Sequence, residues 1–598
     1  MPALPDLDAL WNPLRIGPMR VPNRVLTTGH ALLYGEGGLI SDRHIAYYQE
    51  RARGGVGLIV TEQQAAHPSG RNYHASCVAF DERVVPRYAK LADAVHVHGA
   101  RMMAQLFCGG AQGSGTMYID HWRPLLAPST IASTQFQELP AAMEQADIDD
   151  VVASFGRSAR NVRDGGLDGI EIHAAHSQLL GAFLSPAWNK RTDAYGGSLA
   201  NRCRIVSEIG EAVRKEVGDK LAVGLRLSVS EYLAGGAGIG VEETERQIER
   251  FVDSGLFDFY DLSAGGYYAK QVSVTPMLSD LPDAFLAPAA RRLRAVCGNR
   301  GIIMVVGRIR TLAHAAQLVA EGAADMVALT RAHIADPHAV RKTREGKAEQ
   351  VVPCVGANVC VRRLGENNHV ACLMNPLTGR EAAWRTLRPA ARRGSLLVVG
   401  GGPCGMKAAA LAAARGHRVW LAEAAPALGG HLRRLAALPG RRRWQDAIDS
   451  LAEPLGRAGV ETMLDVEGSV ELVRRLQPEI VVCATGAAFC RSGYSPTRPD
   501  RTGIPGADGP GVIDIGTAVD RVLADAGALG GRVLILDEGQ DVLTAGLAEL
   551  LGQGGAAVRI VTPHLYFGEA LGRTYELPSV MKRFAALGVR VTPQMAVE

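Results

Sequence analysis

The sequence predicts an α/β protein in which an N-terminal (β/α)₈ TIM barrel is followed by Rossmann-like domains. Two observations predict this fold class. Eight short apolar runs alternate with helix-like stretches up to about residue 330, and a glycine-rich turn follows a further apolar run at residues 396–400. The length of 598 residues suits three to four domains, because one barrel can take about 250 residues or more.

The barrel is predicted from the first eight runs. Continuous apolar runs separated by amphipathic segments are typical of parallel strands that are buried on both faces. Eight such units in about 300 residues indicate a closed barrel, whose active site is built at the C-terminal ends of the strands. The runs lie at residues 25–28, 57–61, 102–106, 169–173, 222–227, 259–263, 302–306 and 326–329.

We divide the chain into four segments. Residues 1–345 are predicted to form the barrel, and residues 346–390 a linker segment that contains cysteines. Residues 391–490 are predicted to form one Rossmann-like domain and residues 491–598 a second. We expect the second to be incomplete, because the chain stops at Glu598 before a closing strand–helix segment.

Composition limits the possible functions. A net charge of +4 is too small for this length to indicate nucleic-acid binding. No apolar run reaches the roughly 18 residues of a membrane span, and residues 1–10 lack the features of a signal peptide. We therefore expect a cytoplasmic protein with no nucleic-acid or membrane partner. Three cysteines gather within residues 354–372, which in that compartment indicates a metal or redox site.

A dinucleotide fingerprint opens the third segment. Gly400, Gly402 and Gly405 fit G-x-G-x-x-G between a predicted strand and helix, and Glu423 ends the next strand. The glycines let the backbone approach a pyrophosphate at the helix N-terminus, and the carboxylate can accept bonds from ribose hydroxyls. Gly430 matches a later glycine pair of flavoproteins with two dinucleotide-binding domains. We expect FAD or ADP at this site.

The second Rossmann-like domain departs from this pattern. Its first strand is followed by Asp537, Glu538 and Asp541, where a nucleotide loop would place glycines. Carboxylates there would repel a pyrophosphate. We therefore do not expect NAD(P)H to bind at this loop.

Several stretches together resemble a known family. They are residues 23–25, 169–176, 189–198 and 335–337 in the barrel and 429–432, 437–440 and 575–578 beyond it. The barrel is similar to the old yellow enzyme class, and the whole chain resembles its multidomain branch. That branch includes trimethylamine dehydrogenase, N-methyl amino acid demethylases and 2,4-dienoyl-CoA reductase. The resemblance covers nearly the whole chain, and the segment at 189–198 is highly specific.

The resemblance implies a bound FMN. Gln105 would bond the flavin pyrimidine edge, and Arg226 would stabilise the negative charge of the reduced flavin. The FMN phosphate would be held by Gly307, Arg308 and Arg331. The remaining cofactor contacts implied are Thr28, Gly29 and Gln63. His30 is followed by Ala31 where a covalent relative has cysteine, so we expect non-covalent FMN.

The resemblance also implies a set of catalytic residues, and one of them differs from the residue usual in the family. His173 and His176 would face the flavin and bind a carbonyl or carboxylate, or tune a base. Gln178 stands where ene-reductases usually carry a proton-donating tyrosine, and an amide cannot act as an acid near neutral pH. Tyr267 and Tyr268 could offer aromatic faces to a methylated ammonium group, a phenol for proton transfer, or only an apolar lining. Further pocket candidates are Gln64, Tyr118, His121, Trp122 and Trp188, and Leu364 replaces a cage tryptophan.

The cysteine cluster also departs from the family, which holds a [4Fe–4S] cluster with four thiolates. Cys354, Cys360 and Cys372 fit the pattern, but Ala357 occupies the second ligand position. Four alternatives remain open: a [4Fe–4S] cluster with another fourth ligand, a [3Fe–4S] cluster, a different metal, or free thiols. Asn358 is one residue that could approach the open corner.

Two functions are compatible with the sequence. The first is an amine (N-methyl) dehydrogenase or demethylase that passes electrons through an iron–sulfur centre to an electron-transferring flavoprotein. The second is an NAD(P)H-dependent ene-reductase of the 2,4-dienoyl-CoA reductase type. A non-enzymatic electron-relay subunit is disfavoured by the intact flavin residues. A homodimer is expected from the size of the chain.

Overall fold

A computed structural model describes residues 7–116, 119 and 122–597. Two of the pocket candidates, Tyr118 and His121, lie outside the described residues. The chain divides into two compact units. The first runs to Arg385 except for two short segments, Pro276–Asp280 and Val355–Asn358, which belong with Thr386–Glu598 to the second unit. The four-segment division made from the sequence stays a prediction.

The first unit contains the predicted closed barrel of eight parallel strands. The strands are β1 (Val25–Thr27), β2 (Leu58–Ala65), β3 (Arg101–Phe107), β4 (Gly169–Ala174), β5 (Ala222–Ser228), β6 (Phe259–Ser263), β7 (Ile302–Val305) and β8 (Met326–Ala328). Each strand pairs with the next, and β8 returns to β1 to close the barrel. All eight coincide with the predicted apolar runs, so the fold class is confirmed.

Helices cover the outside of the barrel because their apolar stripes pack on the outward faces of the strands. The longer ones are Asp42–Arg53, Val85–His96, Gln145–Asp164, Leu199–Val217, Val241–Ser254, Ala287–Cys297 and Leu312–Ala320. Shorter ones are Asp8–Trp11, Leu179–Leu184, Lys270–Ser273, Thr330–Ala335, Ala339–Arg344, Val359–Gly365 and Glu381–Trp384.

The N-terminal end of the barrel is filled by apolar side chains. An antiparallel hairpin, Leu14–Ile16 and Met19–Val21, places Ile16, Met19 and Val21 in one cluster with inward residues of the strands. Among those residues is Phe259, the first residue of β6. This packing closes the lower end, and polar side chains are left to the upper, C-terminal end. Two short pairings complete the unit: Cys77–Val78 beside β2, and Leu126–Ala127 with Ala141–Ala142.

The second unit contains two parallel sheets. The first is formed by β9 (Ser395–Val399), β10 (Arg418–Ala422), β11 (Glu461–Met463) and β12 (Ile480–Cys483), in the order 11-10-9-12. The second is formed by β13 (Arg532–Leu536), β14 (Ala557–Val561) and β15 (Arg590–Thr592). The helices of the unit are Pro403–Ala414, Leu432–Ala437, Arg443–Arg457, Val470–Leu476, Ile515–Ala524, Val542–Gln553, Glu569–Arg573 and Leu577–Leu587.

None of the helices in the described part of the chain is long and apolar enough to cross a membrane.

Candidate active site

The predicted site residues of the barrel meet at the C-terminal ends of its strands. Inward positions alternate along each strand, so β4 directs Glu171 and His173 to the inside, and β6 directs Asp261 and Ser263. Gln105 on β3 lies beside Glu171 in the strand register. These inward side chains are buried, which makes the upper end of the barrel a polar pocket inside an apolar shell.

The floor of this pocket is a buried charge network. Arg226 donates to both Asp261 and Thr28, and the Thr28 hydroxyl donates to Asp261 at 2.8 Å. Gln105 Nε2 donates to Glu171 Oε1 at 2.5 Å. Burial, and then the nearby Asp261 carboxylate, raise the pKa of Glu171 to about 8. Glu171 is therefore a neutral acid near pH 7, and Asp261 is the counter-ion of Arg226.

Two histidines stand above the floor. His176 Nε2 shares a hydrogen bond of 2.7 Å with the Ser263 hydroxyl, and its Nδ1 lies 3.3 Å from His173 Nε2. Burial, followed by the charge of Arg226, lowers the pKa of His173 to about 3, and burial lowers that of His176 well below its usual value. Both imidazoles are therefore neutral over the physiological range.

The turn that carries the second histidine has an unusual backbone. His176 and Ser177 both have φ of 58°, in the left-handed region that non-glycine residues seldom adopt. The Ser228 hydroxyl accepts a bond from the His176 amide at 2.9 Å, and Ser177 donates to the buried Glu231 carboxylate at 3.2 Å. These bonds fix the turn and hold His176 toward the pocket.

Gln178 is buried beside the histidines. Its Nε2 donates to Gln63 Oε1 at 3.4 Å, while its Oε1 is buried and, among the described residues, receives no hydrogen bond. Gln63 in turn donates to Asn72 at 3.2 Å. The pocket therefore contains an amide pair with a spare acceptor at this position.

The two tyrosines differ in their surroundings. Tyr267 is buried, with the Phe136 ring 5.7 Å away and the ammonium of Lys270 at 3.6 Å from its ring centroid. Tyr268 is half exposed, and its ring lies 6.1 Å from that of Trp188. Trp188 is anchored by a 2.8 Å bond from its Nε1 to Glu231, whereas Trp122 is 75% exposed.

The residues predicted to hold the FMN phosphate follow β7 and β8. Gly307 and Arg308 both have positive φ, which turns the backbone sharply after β7. Arg308 donates to Asp283 at 2.9 Å, and Arg331 donates to the carbonyl of Thr275 at 2.7 Å. Arg308 thus lies on the loop after β7 and Arg331 in the helix Thr330–Ala335 after β8, and both are held by contacts within the first unit.

These residues fit a bound FMN. Arg226 Nε and Gln178 Oε1 are buried polar atoms with no protein partner in the described residues, as expected if a cofactor or substrate completes their bonding. Gly29 lies so close to Gln105 that a Cβ at position 29 would be 2.5 Å from its Nε2. The strand ends therefore offer buried polar atoms of the kind that a flavin ring can bond.

Three contributors to this pocket were missed by the sequence analysis. Glu171 and Asp261 carried a detectable signal, since each is a lone acid inside an otherwise apolar strand. Lys270 carried none, because a lysine that follows a strand by several residues is usually a solvated surface residue.

The glycine loop of the second unit has the predicted geometry. Gly400 has φ of 106°, and a Cβ on Gly405 would lie 1.8 Å from the Gly400 carbonyl, so both positions need glycine. Gly402 faces open space at the start of the helix Pro403–Ala414. Glu423 accepts a bond from the Gly401 amide at 2.6 Å, and Gly430 packs against Gly402.

The corresponding loop of the second sheet is closed by its own side chains. Asp541 accepts bonds from the amides of Leu543 and Thr544 at 2.9 and 3.3 Å and so caps the helix Val542–Gln553. Asp537 is buried and accepts a bond from the Thr544 hydroxyl at 2.8 Å. The helix N-terminus that could bind a pyrophosphate is therefore already occupied by carboxylates.

The three cysteines lie in the first unit and are half-buried. Burial, and then the neighbouring Cys354, raise the pKa of Cys360 to about 12 and that of Cys372 to about 11. Among the described residues, His44, Glu62 and Cys77 form a group whose potential metal-ligand atoms all lie within 4.8 Å of one another. Asn358 donates to the Thr574 carbonyl at 3.1 Å within the second unit.

Comparisons with known proteins agree with this architecture. The sequence pattern described as NADH:flavin oxidoreductase / NADH oxidase family matches residues 9–350, and that of an NAD(P)-binding Rossmann-like domain matches residues 398–445. The N,N-dimethylglycine/sarcosine dehydrogenase of Chromohalobacter salexigens is 33% identical over 95% of this chain and 81% of its own length.

Two further similar proteins add other reactions to those that the relatives' names give. The multifunctional alkene reductase/demethylase of Caballeronia cordobensis is 33% identical over 84% of this chain and 71% of its own. The structure of 6-hydroxypseudooxynicotine amine oxidase from Pseudomonas geniculata superposes with a TM-score of 0.90 at 26% identity, over 99% of this chain and 88% of that one.

Proposed function

Since the chain belongs to the NADH:flavin oxidoreductase / NADH oxidase family, we propose that it is an FMN-dependent dehydrogenase that demethylates N-methylated amines. The observation that carries this proposal is Gln178, a buried amide beside two neutral histidines where reduction of a C=C bond would need an acid. Oxidation of an amine needs no acid at that point. The names of the dehydrogenase and amine oxidase relatives support the same direction.

The reaction balances with water as the one further reactant at the barrel. FMN, when bound, accepts the hydride that leaves a C–H bond next to the substrate nitrogen. The resulting iminium adds water and collapses to the demethylated amine, formaldehyde and a proton. The chain would hold the flavin ring with Gln105 and Arg226 and the phosphate with Gly307, Arg308 and Arg331. His173 and His176 would orient the substrate as neutral hydrogen-bonding groups.

The electrons would leave one at a time through an iron–sulfur centre. Cys354, Cys360 and Cys372 would ligate an iron–sulfur cluster, and the loop of Gly400, Gly402 and Gly405 would bind FAD or ADP. An external electron-transferring flavoprotein would be the final acceptor, and the enzyme would act as a homodimer. Iron and sulfide analysis of anaerobically purified protein tests the cluster, which Cys360→Ser should remove while FMN is retained.

Ene reduction with NAD(P)H is the second candidate function. The match of residues 398–445 to an NAD(P)-binding domain and the alkene reductase named among the relatives favour it. In that case the Tyr267 phenol would replace the missing acid. The carboxylates at Asp537 and Asp541 argue against a second nucleotide site that could receive NAD(P)H.

Anaerobic mixing of the FMN-loaded enzyme with N,N-dimethylglycine, NADH or NADPH separates the two functions. We expect the amine to bleach the flavin and the nicotinamides to leave it oxidised, while dithionite reduces it in every sample. Rapid bleaching by NADH, followed by reoxidation with an unsaturated carbonyl compound, would overturn the proposal. Gln178→Tyr is the informative variant, since it restores a phenol and should raise ene reduction by the dithionite-reduced enzyme.

A further inference from the structure

Lys270 lies in the barrel mouth beside the histidine pair. Gly266, which follows β6, forms a parallel bridge with His176, and a Cβ on Gly266 would be 2.4 Å from the Ser177 hydroxyl. The Ala269 amide then donates to the Gly266 carbonyl at 3.1 Å, so the chain turns back over the pocket. Lys270 is the next residue, and its ammonium lies 3.6 Å from the Tyr267 ring centroid.

The charges of the mouth leave Lys270 without a counter-ion. Arg226 is neutralised by Asp261, and Glu171 and the two histidines are neutral near pH 7. The charge of Lys270 itself contributes to the lowered pKa of both His173 and His176, which shows its proximity to the pair. Among the ion pairs of the described residues, none involves Lys270. Lys270 is therefore a cation of the pocket that forms no ion pair among the described residues.

This arrangement bears on the use of the tyrosines as a cage for a methylated ammonium. The face of Tyr267 is covered by the protein's own cation, and Phe136 lies tilted against the ring at 5.7 Å. A substrate ammonium in the same place would lie beside Lys270 and be repelled. An anionic group would be attracted by the ammonium.

We infer that Lys270 binds a substrate carboxylate in this pocket, so that the amine substrate is an N-methylated amino acid. The inference rests on the proposed function for its amine part, and on the Lys270, Tyr267 and His176 geometry for its carboxylate part.

Binding of a substrate isostere tests the inference without turnover. Isovalerate has the shape of N,N-dimethylglycine with carbon in place of nitrogen, and isovaleramide is its uncharged counterpart. Their affinities for the FMN-loaded enzyme can be measured by calorimetry in the wild type, Lys270→Met and Lys270→Arg. Since a charge-assisted hydrogen bond is worth about 1.5–3 kcal/mol, we expect Lys270→Met to weaken isovalerate binding about 10- to 100-fold.

The controls make the result specific. Isovaleramide should bind the wild type and Lys270→Met equally, and Lys270→Arg should keep most of the isovalerate affinity. Equal losses for both ligands, or no isovalerate binding by the wild type, would overturn the inference. The proposed function is separable, because carboxylate binding without flavin reduction by N,N-dimethylglycine would contradict the dehydrogenase alone. Amine oxidation that Lys270→Met leaves unchanged would contradict the carboxylate site alone.

Discussion

Gln105 Nε2 donates a hydrogen bond of 2.5 Å to Glu171 Oε1 at the floor of the barrel mouth, where both side chains are buried. A residue predicted to bond the flavin is thus held by an acid that the strand directs inward. The acid is neutral near pH 7, because burial and the nearby Asp261 carboxylate raise its pKa to about 8. Gln105 is therefore positioned by a protonated carboxyl, whose charge state depends on pH.

Glu171→Gln should stabilise the protein increasingly as pH rises. The unfolded chain ionises Glu171 near its usual pKa of 4.5, whereas the folded chain keeps it protonated up to about 8. Wild-type stability is therefore lost over that interval at about 1.4 kcal/mol per pH unit, and the variant lacks this loss. Denaturant unfolding of the apoprotein between pH 5 and about 8 measures the difference. A constant difference across that range would contradict the assignment.

Arg226→Met should destabilise the fold as well as alter the flavin. Removal of the guanidinium leaves the Asp261 carboxylate buried without its counter-ion, at a cost of about 3–5 kcal/mol. The double variant Arg226→Met with Asp261→Asn should recover much of that stability, because the orphaned charge is gone. The flavin potential should stay lowered in both, since both lack the cation that stabilises the reduced form. Recovery of the potential in the double variant would contradict a flavin role for Arg226.

The barrel was predictable because its signal is periodic and local. Each of the eight strands is a short, continuous apolar run, and burial on both faces requires that composition. The glycine loop was predictable for a similar reason, since close backbone approach at Gly400 and Gly405 excludes any side chain. The sequence predicted that the carboxylates of the second loop repel a pyrophosphate, but it did not show that Asp541 caps the helix Val542–Gln553.

The site was predictable only where a residue type is tied to a strand end. His173, Gln105 and Arg226 are buried at those ends, as expected, although their roles stay predictions. Lys270 was not predictable, because its place in the pocket depends on the turn at Gly266 and on its packing against the His176 segment. Such contacts join residues about ninety positions apart and leave no local pattern.

The buried histidines should make the apoprotein sensitive to mild acid. Burial lowers the pKa of His333 to about 3, while its Nδ1 shares a 2.7 Å hydrogen bond with Thr27. Below the usual pKa of 6.5 the unfolded chain takes up a proton that the folded chain does not. Stability is therefore lost as pH falls toward the folded value, at about 1.4 kcal/mol per pH unit for this histidine.

His333→Asn isolates this contribution. The variant should lose stability less steeply than the wild type between pH 6 and about 4, while the two slopes should coincide at pH 7 and above. Unfolding of both apoproteins followed by circular dichroism at a series of pH values gives the comparison. Parallel curves throughout would show that His333 takes up its proton equally in the folded and the unfolded protein, against the lowered pKa.

Gly402 offers a test of the nucleotide site that leaves the fold intact. It precedes the helix Pro403–Ala414 with extended backbone, and an added Cβ meets nothing within 4 Å. Asp and Asn are both good N-caps, so Gly402→Asp and Gly402→Asn should each retain stability. Only the aspartate adds a negative charge where a pyrophosphate would bind, as Asp541 does in the second loop.

The two variants should therefore separate charge from bulk. We expect Gly402→Asn to weaken ADP binding modestly and Gly402→Asp to weaken it about tenfold further, because the like charges repel across a short distance. Calorimetric titration with ADP measures both, and thermal unfolding without ligand confirms that the two folds are equally stable. Equal ADP affinities for Asp and Asn would place the nucleotide away from the N-terminus of this helix.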